Sequence, residues 1–247
     1  MLRSIVAPFR TAVGVLVGGL LTLVLGTFVI VMSRIDPESG SITWSMRTWA
    51  RTLDFFAGLR ISVEGLEHLE GGGSFVFVSN HLSNLDPPLH IAEVPASIRF
   101  LAKKELFRYP VFGQAIRAVG IVETDRQAGP AAHREINRQV ARVMEHHWSL
   151  IIYPEGTRSR DGELKPFKKG AFRIAVDNGL PIVPITIAGT REAWIPGKAW
   201  VHGGPVRMVI HEPIPTTDLG AEHITDLRNR ARTVIAETYE RIRFDRR

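Results

Sequence analysis

The 247-residue sequence contains no cysteine. This absence excludes disulfides, thiolate metal sites and a cysteine nucleophile, so any chemistry has to come from other side chains. The sequence also lacks the G-x-S-x-G segment that presents a serine nucleophile, and the H-E-x-x-H and EF-hand patterns that hold metal ions. We therefore expect no metal, no tightly held cofactor and no covalent nucleophile of the usual kinds.

Basic side chains outnumber acidic ones by 31 to 25, which gives a formal net charge of +6. Such an excess favours anionic partners, among them lipid headgroups, phosphates and nucleic acid. Many arginines occur within residues 228–247, in a segment predicted to be an amphipathic helix. Such arginines are typical of a solvated or membrane-facing side of a helix. We therefore expect no nucleic-acid partner. Hydrophobic residues make up 45% of the chain, enough for one full catalytic core plus an appendage.

A run of uncharged, mostly apolar residues occupies positions 11–33. As a helix it is long enough to cross a hydrocarbon core of about 30 Å. A cleaved signal peptide is the alternative, but the run exceeds the usual ~7–15 residues and no A-x-A site follows it. More arginines follow the run than precede it, which favours the cell membrane with the catalytic domain facing the cytoplasm. Whether this helix spans the bilayer or re-enters one leaflet stays open.

A second, amphipathic helix is predicted after the turn at residues 36–40. Its apolar residues recur every three or four positions, and Arg47 and Arg51 on the same segment could meet lipid headgroups. The alternative is a helix that simply packs on the domain. We therefore predict a membrane anchor over residues 1–58 and a catalytic domain over residues 59–247.

Beyond residue 60, short β-rich runs alternate with helical stretches. This alternation predicts an α/β domain in which helices flank a mixed central sheet. The predicted strands are residues 74–78, 149–153, 181–187 and 206–210, and the predicted helices are residues 132–148, 171–178 and 226–242.

The segment F-V-F-V-S-N-H-L-S-N-L-D-P-P places Asn80 and His81 just after a buried strand, where open α/β sheets hold reactive groups. Asp86 can accept a hydrogen bond from one nitrogen of His81, which leaves the other nitrogen free to take a proton. Alternatively, His81 is a structural histidine. Asp86 can also cap the helix that Pro87 begins, a role compatible with orienting His81. Ser83, in the same segment, is interpreted as structural rather than as a nucleophile.

The segment L-I-I-Y-P-E-G-T-R-S-R predicts a strand that ends in a polar, glycine-containing loop. Arg158 offers a fork of donors that suits a phosphate monoester, and Thr157 and Ser159 can add more. Lys103, Lys104 and Arg126 can supply further positive charge, unless they are merely solvated. A polar loop fixed by an ion pair is the alternative interpretation.

These blocks resemble the 1-acyl-sn-glycerol-3-phosphate (lysophosphatidic acid) acyltransferase family, whose hallmark is N-H-x4-D. Further blocks follow in the family's order, and the resemblance covers roughly residues 60–200. They are K-x-E-L at Lys103–Leu106, G-x5-R at Gly120–Arg126, E-G-T-R-S at Glu155–Ser159 and P-I-V-P at Pro181–Pro184. Within G-x5-R the sequence departs from many relatives at Glu123 and Thr124, which carry no apolar side chain.

The resemblance implies an enzyme that transfers a fatty acyl group from acyl-CoA or acyl-carrier protein to the sn-2 hydroxyl of 1-acylglycerol-3-phosphate. The product would be phosphatidic acid, and the thioester is a co-substrate rather than a cofactor. His81 would act directly as general base, oriented by Asp86, without an acyl-enzyme intermediate. The implied partners are the lysophospholipid, the thioester, the membrane surface and a carrier protein. The implied phosphate-binding residues are Lys103, Arg126, Glu155, Gly156, Thr157, Arg158 and Ser159.

Three other interpretations remain open from the sequence. The acceptor could be glycerol-3-phosphate or another lysolipid, or His81 could activate water in a hydrolase. A membrane-tethered interaction protein, in which both motifs only fix loops, is the alternative from a different class.

Overall fold

Seven strands form one mixed sheet in the computed structural model, which describes residues 2–124 and 130–243. Their order is β1-β7-β6-β2-β5-β3-β4, and every neighbouring pair is parallel except β6 with β7. The strands are β1 (Leu59–Glu64), β2 (Val76–Ser79), β3 (Ile98–Lys103), β4 (Val122–Thr124), β5 (Ser149–Ile152), β6 (Ile182–Ala188) and β7 (Gly204–Ile210).

Eight α-helices accompany the sheet in the described part of the chain, with short 3-10 helices at Leu66–Leu69, Lys104–Arg108 and Ala221–His223. The predicted fold class, a mixed sheet flanked by helices with a long apolar helix at the N-terminus, is confirmed. The helices are α1 (Leu2–Ile35), α2 (Gly40–Ala57), α3 (Asp86–Glu93), α4 (Phe112–Ala118), α5 (Pro130–Glu145), α6 (Gly170–Asp177), α7 (Thr190–Ala193) and α8 (Ile224–Arg243).

The central strands β2, β5 and β6 are buried on both faces, which explains their unbroken apolar sequences. Side chains such as Phe77 and Ile151 face a cluster shared with α1 to α4, whereas Val76 and Leu150 face α5, α6 and α8. Because β2, β3, β4, β5 and β6 run in the same direction, their carboxyl ends share one edge of the sheet. The loops after these strands therefore assemble a site at that edge.

Helix α1 lies along the domain instead of extending away from it. Near its start, Arg10 donates to the His202 carbonyl over 2.9 Å, and Thr11 Oγ1 accepts from the Val201 amide over 2.9 Å. Further along, Trp49 of α2 donates to Thr22 Oγ1 over 2.9 Å, and Gly26 lies against Val111 at the start of α4. Small residues at such crossings allow the helices to approach closely.

The second helix is fixed to the domain through α3. Arg47 and Arg51 donate to the carbonyls of Val94 and Ala92 over 3.0 and 3.4 Å, at the C-terminal end of α3. Arg51 is nevertheless exposed and Arg47 is half-buried, so their contact with lipid headgroups stays a prediction. Their guanidinium groups satisfy helix-terminal carbonyls, which otherwise lack partners within the helix.

Candidate active site

His81 lies in the loop that follows β2, and its neighbours fix the backbone on both sides. The Asn80 side chain is fully buried and makes two hydrogen bonds with Ile187 of β6: its Nδ2 donates to the carbonyl over 2.8 Å, and its Oδ1 accepts from the amide over 2.9 Å. The carbonyl of His81 accepts from the Ser159 amide over 2.8 Å. The two motifs recognised in the sequence are therefore adjacent in the fold.

The carboxylate of Asp86 organises this loop. Its Oδ2 accepts from His81 Nδ1 over 2.7 Å and from the amides of Leu82 and Ser83 over 2.7 and 2.8 Å. A carboxylate accepts, so Nδ1 carries the proton and Nε2 is left as the acceptor. Asp86 is fully buried, whereas 15% of the His81 side chain is exposed. The arrangement can take up a proton at Nε2.

The alternative interpretation of Asp86 as a helix cap is wrong. The cap position before α3 belongs to Leu85, which makes no side-chain cap hydrogen bond. Asp86 is the first helical residue, and its carboxylate turns back to the amides that precede the helix. The two prolines that follow have no backbone N–H group, so the first turn of α3 has fewer donors that need a partner.

Glu155 faces the interior, so its predicted contact with a substrate phosphate is wrong. Its Oε1 accepts from the His81 amide over 2.8 Å, and its Oε2 accepts from the Lys165 amide over 3.0 Å. Burial raises the pKa of Glu155 to about 7, although the two amide hydrogen bonds act in the opposite direction. Because both oxygens of this buried carboxyl group are occupied, Glu155 fixes two loops.

Ser159 is fully buried and is also directed away from a ligand, contrary to the prediction. Its Oγ donates to Asp161 over 2.8 Å and accepts from the Gly162 amide over 2.9 Å. Ser83 is fully buried as well, and its Oγ donates to the Trp194 carbonyl over 2.9 Å. The Ser159 hydroxyl stabilises its own turn, whereas the Ser83 hydroxyl ties the loop after β2 to the end of α7, in keeping with the structural interpretation of Ser83.

Arg158 lies half-buried in this loop, and its Nη1 donates to Asn84 Oδ1 over 2.6 Å. Two lysines outside the sequence motifs lie beside this loop. Lys165 Nζ donates to the Arg158 carbonyl over 3.1 Å, and Lys168 Nζ lies 3.0 Å from the position that a Cβ on Gly156 would occupy. Their only signal in the sequence is the basic segment K-P-F-K-K downstream of the loop. Thr157 is exposed on the same turn.

Lys103 is exposed at the carboxyl end of β3, the same edge of the sheet that carries His81. Strand β5 lies between β2 and β3, so Lys103 is two strands away from the His81 loop. Arg126 lies outside the described residues. Within the described ranges, no group of three or more histidine, aspartate or glutamate side chains is arranged to hold a metal ion.

Two aromatic residues complete the surroundings of His81. The ring of Tyr153 is stacked on the imidazole, with centroids 4.1 Å apart and planes 13° apart. The hydroxyl of Tyr153 lies 3.2 Å from Nδ1 of His90, which lies 2.6 Å from the Asp86 carbonyl. Burial lowers the pKa of His90 to about 4, although the hydrogen bond to the Asp86 carbonyl and the charge of Asp86 act in the opposite direction. His90 is therefore neutral at pH 7.

We expect the pH dependence of stability to report the burial of His90. Its pKa is lower in the folded chain than the ~6.5 of an exposed histidine, so the unfolded chain binds more protons between about pH 4 and 6.5. Stability is therefore present above pH 6.5 and is lost as the pH falls towards 4, by at most about 3 kcal/mol. Denaturant unfolding of the detergent-purified protein and of His90→Asn, which keeps a donor for the Asp86 carbonyl, measures this difference. The prediction would be contradicted if the free energy of unfolding changed with pH equally in the two proteins.

The fold and the site together define an acyltransferase. A family model described as Acyltransferase matches residues 60–188. A 1-acyl-sn-glycerol-3-phosphate acyltransferase from Limnanthes douglasii is 33% identical over 84% of this chain and 71% of its own length. One from Cocos nucifera is 37% identical over 75% of this chain and 58% of its own length.

A solved structure supports the same conclusion. The 1-acyl-sn-glycerophosphate (LPA) acyltransferase PlsC from Thermotoga maritima superposes with a TM-score of 0.84 and 27% identity, covering 97% of both chains. The chain belongs to the 1-acyl-sn-glycerol-3-phosphate acyltransferase family.

Proposed function

We propose that this protein transfers a fatty acyl group from a thioester to the sn-2 hydroxyl of 1-acylglycerol-3-phosphate, with His81 as general base. Acyl transfer to this acceptor is what the relatives' names describe. The choice of base rests on one observation: Asp86 holds the proton on His81 Nδ1 over 2.7 Å, in a loop bonded to the loop of Arg158.

The reaction then proceeds as a direct transfer. His81 Nε2 removes the proton of the acceptor hydroxyl while its oxygen attacks the thioester carbonyl carbon. The C–S bond of the resulting tetrahedral intermediate breaks, and the sulfur leaves as a thiol after taking the proton from the imidazolium. A thiol with a pKa of about 8.5 is a better leaving group than an alcohol, so the reaction depends mainly on orientation. The donor is acyl-CoA or acyl-carrier protein.

The phosphate of the acceptor binds at the basic loop after β5. Arg158 supplies a fork of charged donors, with Lys165 and Lys168 beside it and Lys103 at the same edge of the sheet. Holding the phosphate there fixes the distance between the acceptor hydroxyl and His81. Glu155 and Ser159 act indirectly, since they shape the loop that presents Arg158.

The N-terminal helices bind the cell membrane, with the catalytic domain on the cytoplasmic side. Helix α1 has the length and apolar composition of a membrane span over Val6–Ile35, and only 17% of its most apolar window is buried. The exposed apolar side chains of α1 include Phe9, Val15, Leu16, Leu20, Leu23 and Ile35, and those of α2 include Trp44 and Phe55. Because α1 runs along the domain, we favour insertion into one leaflet. Flotation with vesicles that persists at high salt would support hydrophobic insertion of the helices, and loss of flotation in salt would contradict it.

Release of thiol from an acyl donor by detergent-purified protein tests the proposed function. We expect release to depend on added lysophosphatidic acid and to yield phosphatidic acid. Comparison with glycerol-3-phosphate and with a lysolipid that lacks a phosphate monoester identifies the acceptor. Free fatty acid formed without any acceptor would indicate a hydrolase instead. An absence of turnover for both acyl-CoA and acyl-carrier protein would favour a non-catalytic interaction protein.

A further inference from the structure

The stacking of Tyr153 on His81 follows from the parallel pairing of β5 with β2. Val78 is paired with Ile152, so the first residue after β5 and the loop after β2 meet at the same edge of the sheet. The phenol ring covers one face of the imidazole at 4.1 Å. We propose that Tyr153 is a positioning residue that holds the imidazole of His81 in the plane required for proton transfer. This inference rests on the proposed function.

Tyr153 has two further neighbours. Its hydroxyl lies 3.2 Å from Nδ1 of the fully buried His90, and the Phe100 ring is stacked with its ring at a centroid distance of 6.4 Å. The Asp86 carbonyl can only accept, so His90 Nδ1 carries a proton and donates it there. The phenol oxygen is a second acceptor for that same N–H group.

Asp86 contacts both histidines that neighbour Tyr153. Its carboxylate binds Nδ1 of His81 and fixes the tautomer, and its carbonyl accepts from Nδ1 of His90, which lies 3.2 Å from the Tyr153 hydroxyl. Burial, with a smaller contribution from the charge of Asp86, raises the pKa of Tyr153 well above its usual value. The phenol is therefore neutral, and its ring face is available to the imidazole at every working pH.

The two contacts restrain different motions of the imidazole. The hydrogen bond at Nδ1 fixes the direction of the ring, whereas the stack fixes its tilt and stops rotation about the bond that joins the ring to Cβ. An aromatic face also attracts positive charge, which His81 carries only after it has taken the proton. This attraction is therefore strongest after the reaction has begun, and its loss falls on kcat rather than on KM.

The test compares three variants that alter the same aromatic cluster. Tyr153→Phe keeps the ring, Tyr153→Met fills the volume without a planar face, and Phe100→Leu removes a neighbouring ring that is stacked on Tyr153. We expect kcat to fall about 10- to 100-fold in Tyr153→Met, with KM for lysophosphatidic acid changed less than about 3-fold. We expect Tyr153→Phe and Phe100→Leu to stay within about 3-fold of the wild type.

The inference is overturned if Tyr153→Met and Phe100→Leu lower kcat equally, or if the loss in Tyr153→Met appears only in KM. Thermal unfolding of each variant shows whether it is folded, and Tyr153→Leu replaces the methionine variant if that one is not. A fully active His81→Ala would instead refute the proposed function, whatever the Tyr153 variants do. An inactive His81→Ala with a fully active Tyr153→Met would refute only the positioning role.

Discussion

Replacement of His81 by alanine is expected to lower kcat for acyl transfer about 10²- to 10⁴-fold, the usual contribution of a general base. KM for lysophosphatidic acid should change little, because the basic loop that binds the phosphate is intact. The initial rate of thiol release, measured against wild type in the same detergent, gives both constants. A variant that retains more than about a tenth of wild-type kcat would exclude His81 as the base.

Asp86→Asn separates the chemical role of Asp86 from its structural role. Asparagine keeps an oxygen for the amides of Leu82 and Ser83 but loses the negative charge that stabilises a protonated His81. We expect kcat to fall at least about 100-fold while thermal unfolding changes little. Asp86→Ala should also destabilise the fold, since each buried donor left without a partner costs about 1–3 kcal/mol. Wild-type kcat in Asp86→Asn would show that its carboxylate only fixes the loop.

A third effect, on binding of the acceptor, is expected for Arg158→Ala. Removal of a charge-assisted contact with the phosphate should lower kcat/KM for lysophosphatidic acid about 10- to 100-fold, chiefly through KM. Arg158→Lys keeps the charge but not the fork of donors, so it should recover only part of the loss. The measurement is a substrate titration of the acceptor at saturating acyl donor.

Two controls make this result specific to the phosphate. Arg173→Ala removes an exposed arginine from α6 with the same change of net charge, and it should leave kcat/KM unchanged. With a monoacylglycerol that lacks the phosphate, wild type and Arg158→Ala should have equal kcat/KM. If the loss persists with that acceptor, Arg158 supports the loop through Asn84 instead of binding the phosphate.

The strands that the sequence revealed are those at the centre of the sheet. Strands β2, β5 and β6 are buried on both faces, so their apolar runs are visible without any tertiary information. Edge strand β1 alternates between half-buried and exposed positions and carries charged residues. Strand β3 is not predicted from the sequence, because Arg99 interrupts its apolar pattern. In the fold this arginine is buried with its guanidinium 3.7 Å over the ring of Trp148.

The sequence by itself determined the composition of the site: a histidine and a carboxylate in N-H-x4-D, and a basic loop in E-G-T-R-S. Tertiary structure alone decided which side chains of these motifs face outward. The Arg158 side chain is partly exposed, but Glu155 is turned inward by the His81 amide, which lies 74 residues away along the chain. Likewise, Tyr153 meets His81 only because β5 and β2 are paired in parallel. The motifs in the sequence determine which chemical groups are present. The orientation of their side chains depends on contacts between segments that are far apart in the sequence.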